Sequence, residues 1–365
     1  MKYYHFTGFV LFFFTEIVKK ILASFPDWAE QYYARGIFEF IHYLFRFFSF
    51  AFFIPGLFLI PIFYFVFIWW IFKKNNYIIA ISWLLNSIAF LYFLFYLVWG
   101  FNYYRLPIDD DWQEKAKPFS LNELTSEYRE TTEHLLKVRQ LLADTAVKVD
   151  VSKNKLNEKI QHAVIQKNLK EWLSNHRFPS KQSVTLRSDL PKGIFLHFST
   201  AGMYFPFSGE GNVDPGLHPL QFTAVMAHEM AHGYGFADEG TCNFLAFICH
   251  VKDSNAWISY ATTLGYWRYL AINIRKISPS LFNQLINEIP GGLKSDLAEM
   301  QQYSNRYEDW MPEFQYKMYD AYLKGQGIKE GMLNYNKVIG LVLAYKAANA
   351  FILNDSSLPR YPSIK

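Results

Sequence analysis

Two histidines and a glutamate near the middle of the chain have the types and spacing of a metal-dependent hydrolytic site. They form the motif H-E-x-x-H, at His228, Glu229 and His232, in an apolar run that starts at Phe222. If this run is helical, both imidazoles lie on one face, one turn apart, where they can bind a single Zn²⁺ at about 2.0–2.1 Å. Glu229 would then lie beside the metal and accept a proton from water. The alternative is an ordinary helix with two buried histidines.

A catalytic zinc needs a third protein ligand, and two acidic residues after the motif are candidates. A glycine turn follows the motif and predicts the end of its helix, after which a second helix begins. Glu239 lies in the first turn of that helix, and Asn243 lies one turn later on the same face, where it could hydrogen-bond a ligand. Asp238 is the alternative, in a metzincin-like pattern. We favour Glu239, because H-E-x-x-H followed by E-x-x-x-N is the gluzincin arrangement.

The composition indicates a chain with two parts. Aromatic residues make up 19% of it, and most of the long apolar runs lie in residues 1–104, whereas residues 105–365 carry ordinary charge. The net charge of +4 comes without a basic block, so nucleic-acid binding is not expected. Cys242 and Cys249 would lie about 10 Å apart along one helix, too far for a disulfide, and we interpret both as small buried residues.

Two uncharged runs, residues 47–72 and 77–99, predict transmembrane helices. Residues 6–24 form a marginal third span, with an interfacial amphipathic helix as the alternative. Lys73 and Lys74 lie in the short loop between the two long runs and favour the cytoplasm by the positive-inside rule. Everything from about residue 102 onward is therefore expected outside the cytoplasm, which means the periplasm in a Gram-negative cell.

The extracytoplasmic part is expected to be mainly α-helical with a small sheet, a zincin-like α+β domain that follows the N-terminal transmembrane helices. Strand signals lie at residues 183–187, 193–198 and 202–207. The last of these would line a substrate cleft, or would be an ordinary hairpin. Apolar periodicity predicts helices at residues 120–144, 155–174, 255–276, 279–288, 294–303, 312–323 and 332–351.

Four tyrosines near the C-terminal end are candidates for a hydroxyl that stabilises a tetrahedral oxyanion. Each of them is otherwise an ordinary core or surface tyrosine, and the sequence does not distinguish among them. They are Tyr316, Tyr319, Tyr322 and Tyr335.

Several segments, in this order, resemble a bacterial family of multi-pass membrane proteins of unknown function that carries an H-E-x-x-H zincin domain. The resemblance implies a membrane-anchored zinc metallopeptidase of gluzincin type. Family members typically have Glu-Ala where this chain has Thr241 and Cys242, and many have Gln or Val at Gly233. The segments that carry the resemblance are residues 99–105, 209–212, 228–247, 319–324 and 335–345.

Together these features predict a multi-pass protein of the bacterial inner membrane that binds one Zn²⁺ per chain. His228, His232 and Glu239 would be the ligands and Glu229 the general base, acting on a periplasmic or membrane-proximal protein or peptide. A catalytically inactive, metal-stabilised membrane scaffold or assembly factor is the alternative. An intramembrane protease is disfavoured, because the apolar run before the motif is too short for a span.

Overall fold

The computed structural model describes residues 6–49, 54–144, 157–351 and 353, which are mainly helical with one three-stranded sheet. A π-helical segment, Ala29–Phe38, lies near the N-terminus, and short 3-10 helices lie at Gly100–Tyr104, Leu196–Phe198 and Gly331–Asn336. The strands are β1 (Thr185–Arg187), β2 (Gly202–Phe205) and β3 (Glu210–Val213). The helices are α1 (Thr7–Ser24), α2 (Pro26–Trp28), α3 (Glu39–Ser49), α4 (Gly56–Lys74), α5 (Tyr77–Val98), α6 (Leu121–Asp144), α7 (Glu158–Asn175), α8 (Pro219–Gly233), α9 (Glu239–Ile248), α10 (Ala256–Ile277), α11 (Pro279–Glu288), α12 (Gly291–Ser304), α13 (Pro312–Gly325) and α14 (Lys337–Asn349).

Within the described residues, α4 and α5 are the two helices long and apolar enough to cross a membrane. They correspond to the predicted runs 47–72 and 77–99, but α4 begins only at Gly56. Pro55 precedes it with an extended ψ of 134°. A helix that started earlier would need a backbone N–H at this position, which proline lacks. Residues 50–53 of the predicted run lie outside the described residues.

The helix α1 covers the marginal N-terminal run and is not one of these two. It carries Glu16, Lys19 and Lys20, and it lies along α5. The backbone N–H of Gly8 donates to Asn86 Oδ1 at 2.7 Å. A Cβ at Gly8 would lie 2.1 Å from the Asn86 carbonyl oxygen, so glycine permits this close helix contact.

The sheet has the order β1-β3-β2, with β1 parallel and β2 antiparallel to β3. Two of the predicted strands are present, β1 within residues 183–187 and β2 within residues 202–207. The central strand β3 was not predicted. Its sequence, Glu-Gly-Asn-Val, is short and lacks the β-branched alternation of a typical strand, yet all four residues are buried.

The strand predicted at residues 193–198 is wrong. This stretch forms a turn and the 3-10 helix Leu196–Phe198. The buried carboxylate of Asp214 accepts the backbone N–H groups of Gly193, Phe195 and Leu196 at 2.8, 2.8 and 3.3 Å. Those donors are thus directed to one side chain, and a strand partner cannot take them.

The helices beyond residue 105 enclose one apolar core, in which α6, α8, α9, α10 and α14 meet. A capping box starts α6, since Glu123 N donates to Ser120 Oγ at 3.2 Å and Ser120 N donates to Glu123 Oε2 at 2.7 Å. The predicted helices are present with small shifts at their ends. Residues 332–351 are the exception, because this stretch starts as a 3-10 helix and only then becomes α14.

Contacts cross the predicted boundary between residues 1–104 and 105–365. Arg105 pairs with Glu30 of the π-helical segment through two contacts of 2.7 and 3.1 Å. It also donates to the Gly235 carbonyl at 2.8 Å, in the turn between α8 and α9. The backbone N–H of Gly56 donates to Glu210 Oε2 in β3 at 2.8 Å. The N-terminal segments therefore contact the sheet and the turn that follows the motif helix.

We predict that Gly235→Ala destabilises the fold. Gly235 has φ +83°, and a Cβ there would lie 2.8 Å from Phe38 and 3.0 Å from Arg105. The strained backbone and the clash together should lower the free energy of unfolding by about 1–3 kcal/mol.

Thermal unfolding of the full-length protein in detergent measures this loss. Gly291→Ala is the matched control, because a Cβ there would meet no atom within 4 Å and the φ of this glycine is not positive. Equal melting temperatures for both variants would contradict the predicted destabilisation by Gly235→Ala.

Candidate metal centre

Helix α8 carries both histidines on its last two turns. Its start is fixed by His218, whose Nδ1 accepts the Leu220 N–H at 3.3 Å, and by Pro219 at the first helical position. Its end is set by glycines, as the sequence predicts. A Cβ at Gly233 would lie 2.3 Å from Val184, so a larger residue would displace the segment that leads into β1.

The chain then reverses so that α9 returns toward the histidines. Gly235 takes the left-handed conformation, and Phe236 N donates back to the Ala231 carbonyl at 3.4 Å. Asp238 caps α9 by accepting the Thr241 N–H at 2.7 Å. Glu239, the next residue, is directed at the two imidazoles.

Three potential ligand atoms converge at this point. His228 Nε2 lies 3.1 Å from His232 Nε2 and 3.1 Å from Glu239 Oε2, and His232 Nε2 lies 3.4 Å from the same carboxylate oxygen. Ligands of a tetrahedral Zn²⁺ at 2.0–2.1 Å are about 3.3 Å from one another. The spacing therefore fits a single zinc ion with three protein ligands.

The hydrogen bonds on the far sides of the rings orient their lone pairs. His228 Nδ1 lies 2.8 Å from Asn243 Oδ1, and His232 Nδ1 lies 2.7 Å from the Phe236 carbonyl. A carbonyl only accepts, so His232 Nδ1 carries the proton and its Nε2 offers a lone pair to the centre. The amide oxygen of Asn243 orients His228 in the same way. The Nε2 lone pairs of both histidines and an oxygen of Glu239 then face one another, and this arrangement needs a cation or a proton between them.

The electrostatics of Glu239 suit a ligand. Burial by itself raises the pKa of the Glu239 carboxyl, but His232 and His228 outweigh burial and hold that pKa well below its ordinary value. Burial lowers the pKa of the His232 imidazole, whereas Cys242 and Glu239 raise it well above its ordinary value. A metal at this centre would compete with a proton for the same lone pairs.

Glu229 is buried beside the centre and behaves differently. Burial raises the pKa of its carboxyl above the ordinary value, although both histidines of the motif act in the opposite direction. The backbone of Tyr204 in β2 also acts to lower this pKa, and Glu229 Oε2 has no hydrogen-bond partner among the described residues. A Cβ at Gly202 would lie 2.8 Å from Glu229 Oε1, so a glycine allows β2 to lie this close.

Asp238, the alternative third ligand, is engaged elsewhere. Besides capping α9, it accepts Asn334 Nδ2 at 2.9 Å and pairs with Lys337 Nζ at 3.2 Å. Thr241 Oγ1 also donates to it at 2.8 Å, so position 241 faces this cap and not the histidines. Within the described residues, the groups that come close enough to share a metal are His228, His232 and Glu239.

The four candidate tyrosines have different positions. Tyr319 in α13 donates to Glu239 Oε1 at 2.5 Å, and Tyr335 lies parallel to the His228 ring at 6.2 Å. The Tyr322 hydroxyl accepts a hydrogen bond from the Tyr103 hydroxyl at 3.1 Å, and Tyr316 is exposed. Tyr319 thus orients the ligand carboxylate through the oxygen that faces away from the histidines.

Three further neighbours of the centre could not be found from sequence spacing. Trp99 Nε1 donates to the His232 carbonyl at 3.4 Å, and the two rings make an edge contact. The Tyr269 hydroxyl lies 3.0 Å from Asn243 Nδ2. Cys242 is buried and unpaired, as predicted, but its Sγ also lies 3.3 Å from His232 Nδ1, and burial raises the pKa of this thiol to about 11.

The chain belongs to the family described as Protein of unknown function (DUF3810), whose family model matches residues 30–343. No curated protein and no solved structure matches it. The matched region contains the motif, Glu239, Asn243 and Tyr319, together with α4 and α5. The family assignment and the resemblance described above both give a family of unknown function. The family description names no activity.

We predict that Tyr319→Phe weakens zinc binding. The substitution removes the hydrogen bond to Glu239 Oε1 without changing the shape of the ring, and loss of such an outer contact typically lowers metal affinity about 10–100-fold. Competition with a chelator of known zinc affinity measures the change in the full-length protein. Tyr316→Phe, an exposed tyrosine of the same helix, is the control and should keep wild-type affinity.

Proposed function

We propose that this protein is a membrane-anchored zinc metallopeptidase whose site lies outside the cytoplasm. The observation that carries the proposal is the convergence of two oriented imidazole lone pairs and a carboxylate oxygen beside a buried glutamate with a free oxygen. Metal-dependent peptide hydrolysis uses this combination of a Lewis acid position and a general base.

In this proposal His228, His232 and Glu239 hold one Zn²⁺. Bound zinc would polarise the scissile carbonyl and make water acidic enough to react near neutral pH. Asn243 and the Phe236 carbonyl keep the imidazoles in the tautomer that leaves Nε2 free, and Tyr319 keeps the carboxylate turned toward them.

Glu229 has the properties of the proton carrier. Its raised pKa lets it hold a proton once it has accepted one, and Oε2 is free to make that contact. It would take the proton from the attacking water and deliver it to the leaving amine. The close approach of Gly202 limits the movement of the carboxylate while this happens.

The edge strand β2 suits an extended peptide as substrate. It is paired on one side with β3 and lies at the end of the sheet order. Its backbone reaches Glu229, so a substrate strand added along this edge would present its peptide bonds next to the general base. Specificity would then come from side chains that alternate along the strand.

The membrane assignment is supported by α4 and α5, two apolar helices joined by a turn after Lys73 and Lys74. Cytoplasmic placement of these lysines puts the end of α5, and the whole centre, on the outer side of the membrane. Because α1 lies along α5, we include it as a third span of the bacterial inner membrane, with Glu16 and Lys19 neutralising one another at 2.9 Å.

We predict that Glu229→Gln abolishes hydrolysis but keeps zinc. The amide has the same shape and cannot accept the proton, so cleavage should fall about 10²–10⁴-fold. The assay compares cleavage of a mixed library of quenched fluorescent peptides with zinc per chain, for the protein in detergent. A wild-type protein that binds zinc yet cleaves no faster than this variant would contradict the peptidase proposal and favour a metal-stabilised scaffold.

We also predict that Glu239→Gln loses zinc and that Asp238→Asn does not. Wild type should carry about one zinc per chain, and the neutral amide at position 239 removes the only anionic ligand. Asp238→Asn keeps an N-cap side chain and is a matched control one residue away. Zinc content measured by elemental analysis after gel filtration decides between them, and loss with Asp238→Asn alone would assign the third ligand to that residue instead.

A further inference from the structure

The helix α13 presents a stripe of apolar side chains that are wholly or partly open to solvent. Phe314 and Met318 are 60% and 57% exposed, and Tyr322 continues the same face one turn later. At 100° per residue these three positions fall within an arc of about 80°. Trp310 and Met311, both exposed, extend the stripe just before the helix, where one face of the Trp310 ring stacks on His197 at 4.3 Å. We call these five residues the apolar stripe.

The other faces of α13 are of different kinds. A charged face lies opposite the apolar stripe and carries two i,i+4 ion pairs, Lys317 with Glu313 at 3.6 Å and Lys324 with Asp320 at 2.7 Å. The face between them carries Tyr319, which contacts the metal centre. The helix is thus amphipathic at its surface, with its apolar side turned outward, which is typical of a helix that lies in a membrane interface.

The position of α13 connects the apolar stripe to the membrane. Gln326, directly after the helix, accepts the hydroxyl of Tyr96 at 2.6 Å, two residues before the end of α5. Tyr322, at the end of the apolar stripe, meets the hydroxyl of Tyr103 just beyond that helix. One end of α13 therefore lies at the depth where the proposed span leaves the bilayer.

We infer that α13 is an interfacial helix whose apolar stripe enters the outer surface of the bilayer. The inference rests on the membrane anchoring proposed above. Its exposed residues include Trp and Tyr, which favour the boundary between acyl chains and headgroups, and its lysines can reach anionic headgroups from the opposite face. Such a helix buries its apolar side about 5–10 Å into the boundary.

This placement also defines a substrate class for the proposed peptidase. The same helix supplies Tyr319 to Glu239, so the metal centre is held within a helix diameter of the lipid surface. A peptide that reaches β2 there comes from the segment of a chain that lies next to the membrane, such as the outer end of a membrane-anchored protein. A freely diffusing folded protein would have to approach past the bilayer.

The test places a fluorophore on single introduced cysteines of the full-length protein in nanodiscs of phosphatidylethanolamine and phosphatidylglycerol. Met318→Cys and Phe314→Cys report on the apolar stripe, and Lys317→Cys, 77% exposed on the charged face, is the matched control. Phe63→Cys, exposed on α4, reports on the span. Lipids with a nitroxide near the headgroup quench labels in the interface, lipids with a nitroxide on the acyl chain quench labels within the span, and the unmodified protein gives the background from native cysteines.

We expect blue-shifted emission and strong lipid quenching at positions 318 and 314, and water-like emission without quenching at position 317. Water-like emission at 318 and 314 beside a quenched label at 63 would overturn the interfacial helix and leave the span intact. Blue-shifted emission without lipid quenching would also overturn it, since a protein, including a second copy, would cover the apolar stripe. An unquenched label at position 63 would contradict the membrane anchoring on which the interfacial helix rests. No step requires zinc or substrate, so none of these outcomes bears on the peptidase chemistry.

Discussion

The reversal of the chain between α8 and α9 is the constraint on which the centre depends. The two histidines come from one helix and are neighbours by helical geometry alone, whereas the carboxylate must be brought back across three residues after a glycine. Gly235 supplies the left-handed backbone, and Arg105 holds its carbonyl while Glu30 neutralises the guanidinium. Phe38 fills the space where a side chain at Gly235 would be. With this turn in place, α9 can begin directly after its cap Asp238 and direct Glu239 toward the two histidines.

Two buried carboxylates lie within this small volume, and their different surroundings separate their roles. Burial acts on both in the same direction, by raising the pKa. Glu239 also makes direct contacts of 3.1 and 3.4 Å with imidazole nitrogens, which reverse the shift and keep it an anion. Glu229 has no such contact and keeps the raised pKa. One carboxylate is therefore suited to bind a cation permanently, and the other to exchange a proton.

How much of the structure the sequence could predict depends on how far apart the interacting residues lie along the chain. The motif residues, Glu239 and Asn243 are set by helical spacing and a glycine turn, and the structure brings these side chains together as that spacing predicts. Tyr319 and Trp99 reach the centre from far along the chain, where no periodicity connects them to it. The small sheet was predicted in part, because its central strand has an atypical composition and because Asp214 redirects the backbone of residues 193–198. The two long apolar helices follow from apolar length, but the contacts of the N-terminal segments with the centre do not.

The contacts that Glu30, Phe38 and Trp99 make with the centre have a consequence for biogenesis. These residues are translated long before the motif, within or next to the apolar N-terminal segments. With the membrane anchoring proposed above, the residues that support the α8–α9 turn would be inserted first, and α8 and α9 would pack against them after translocation. A chain that fails to insert would lack the support for its own centre, so maturation of the site would be linked to arrival in the correct membrane. Such a link would keep a hydrolytic centre from forming in the compartment where the chain is made.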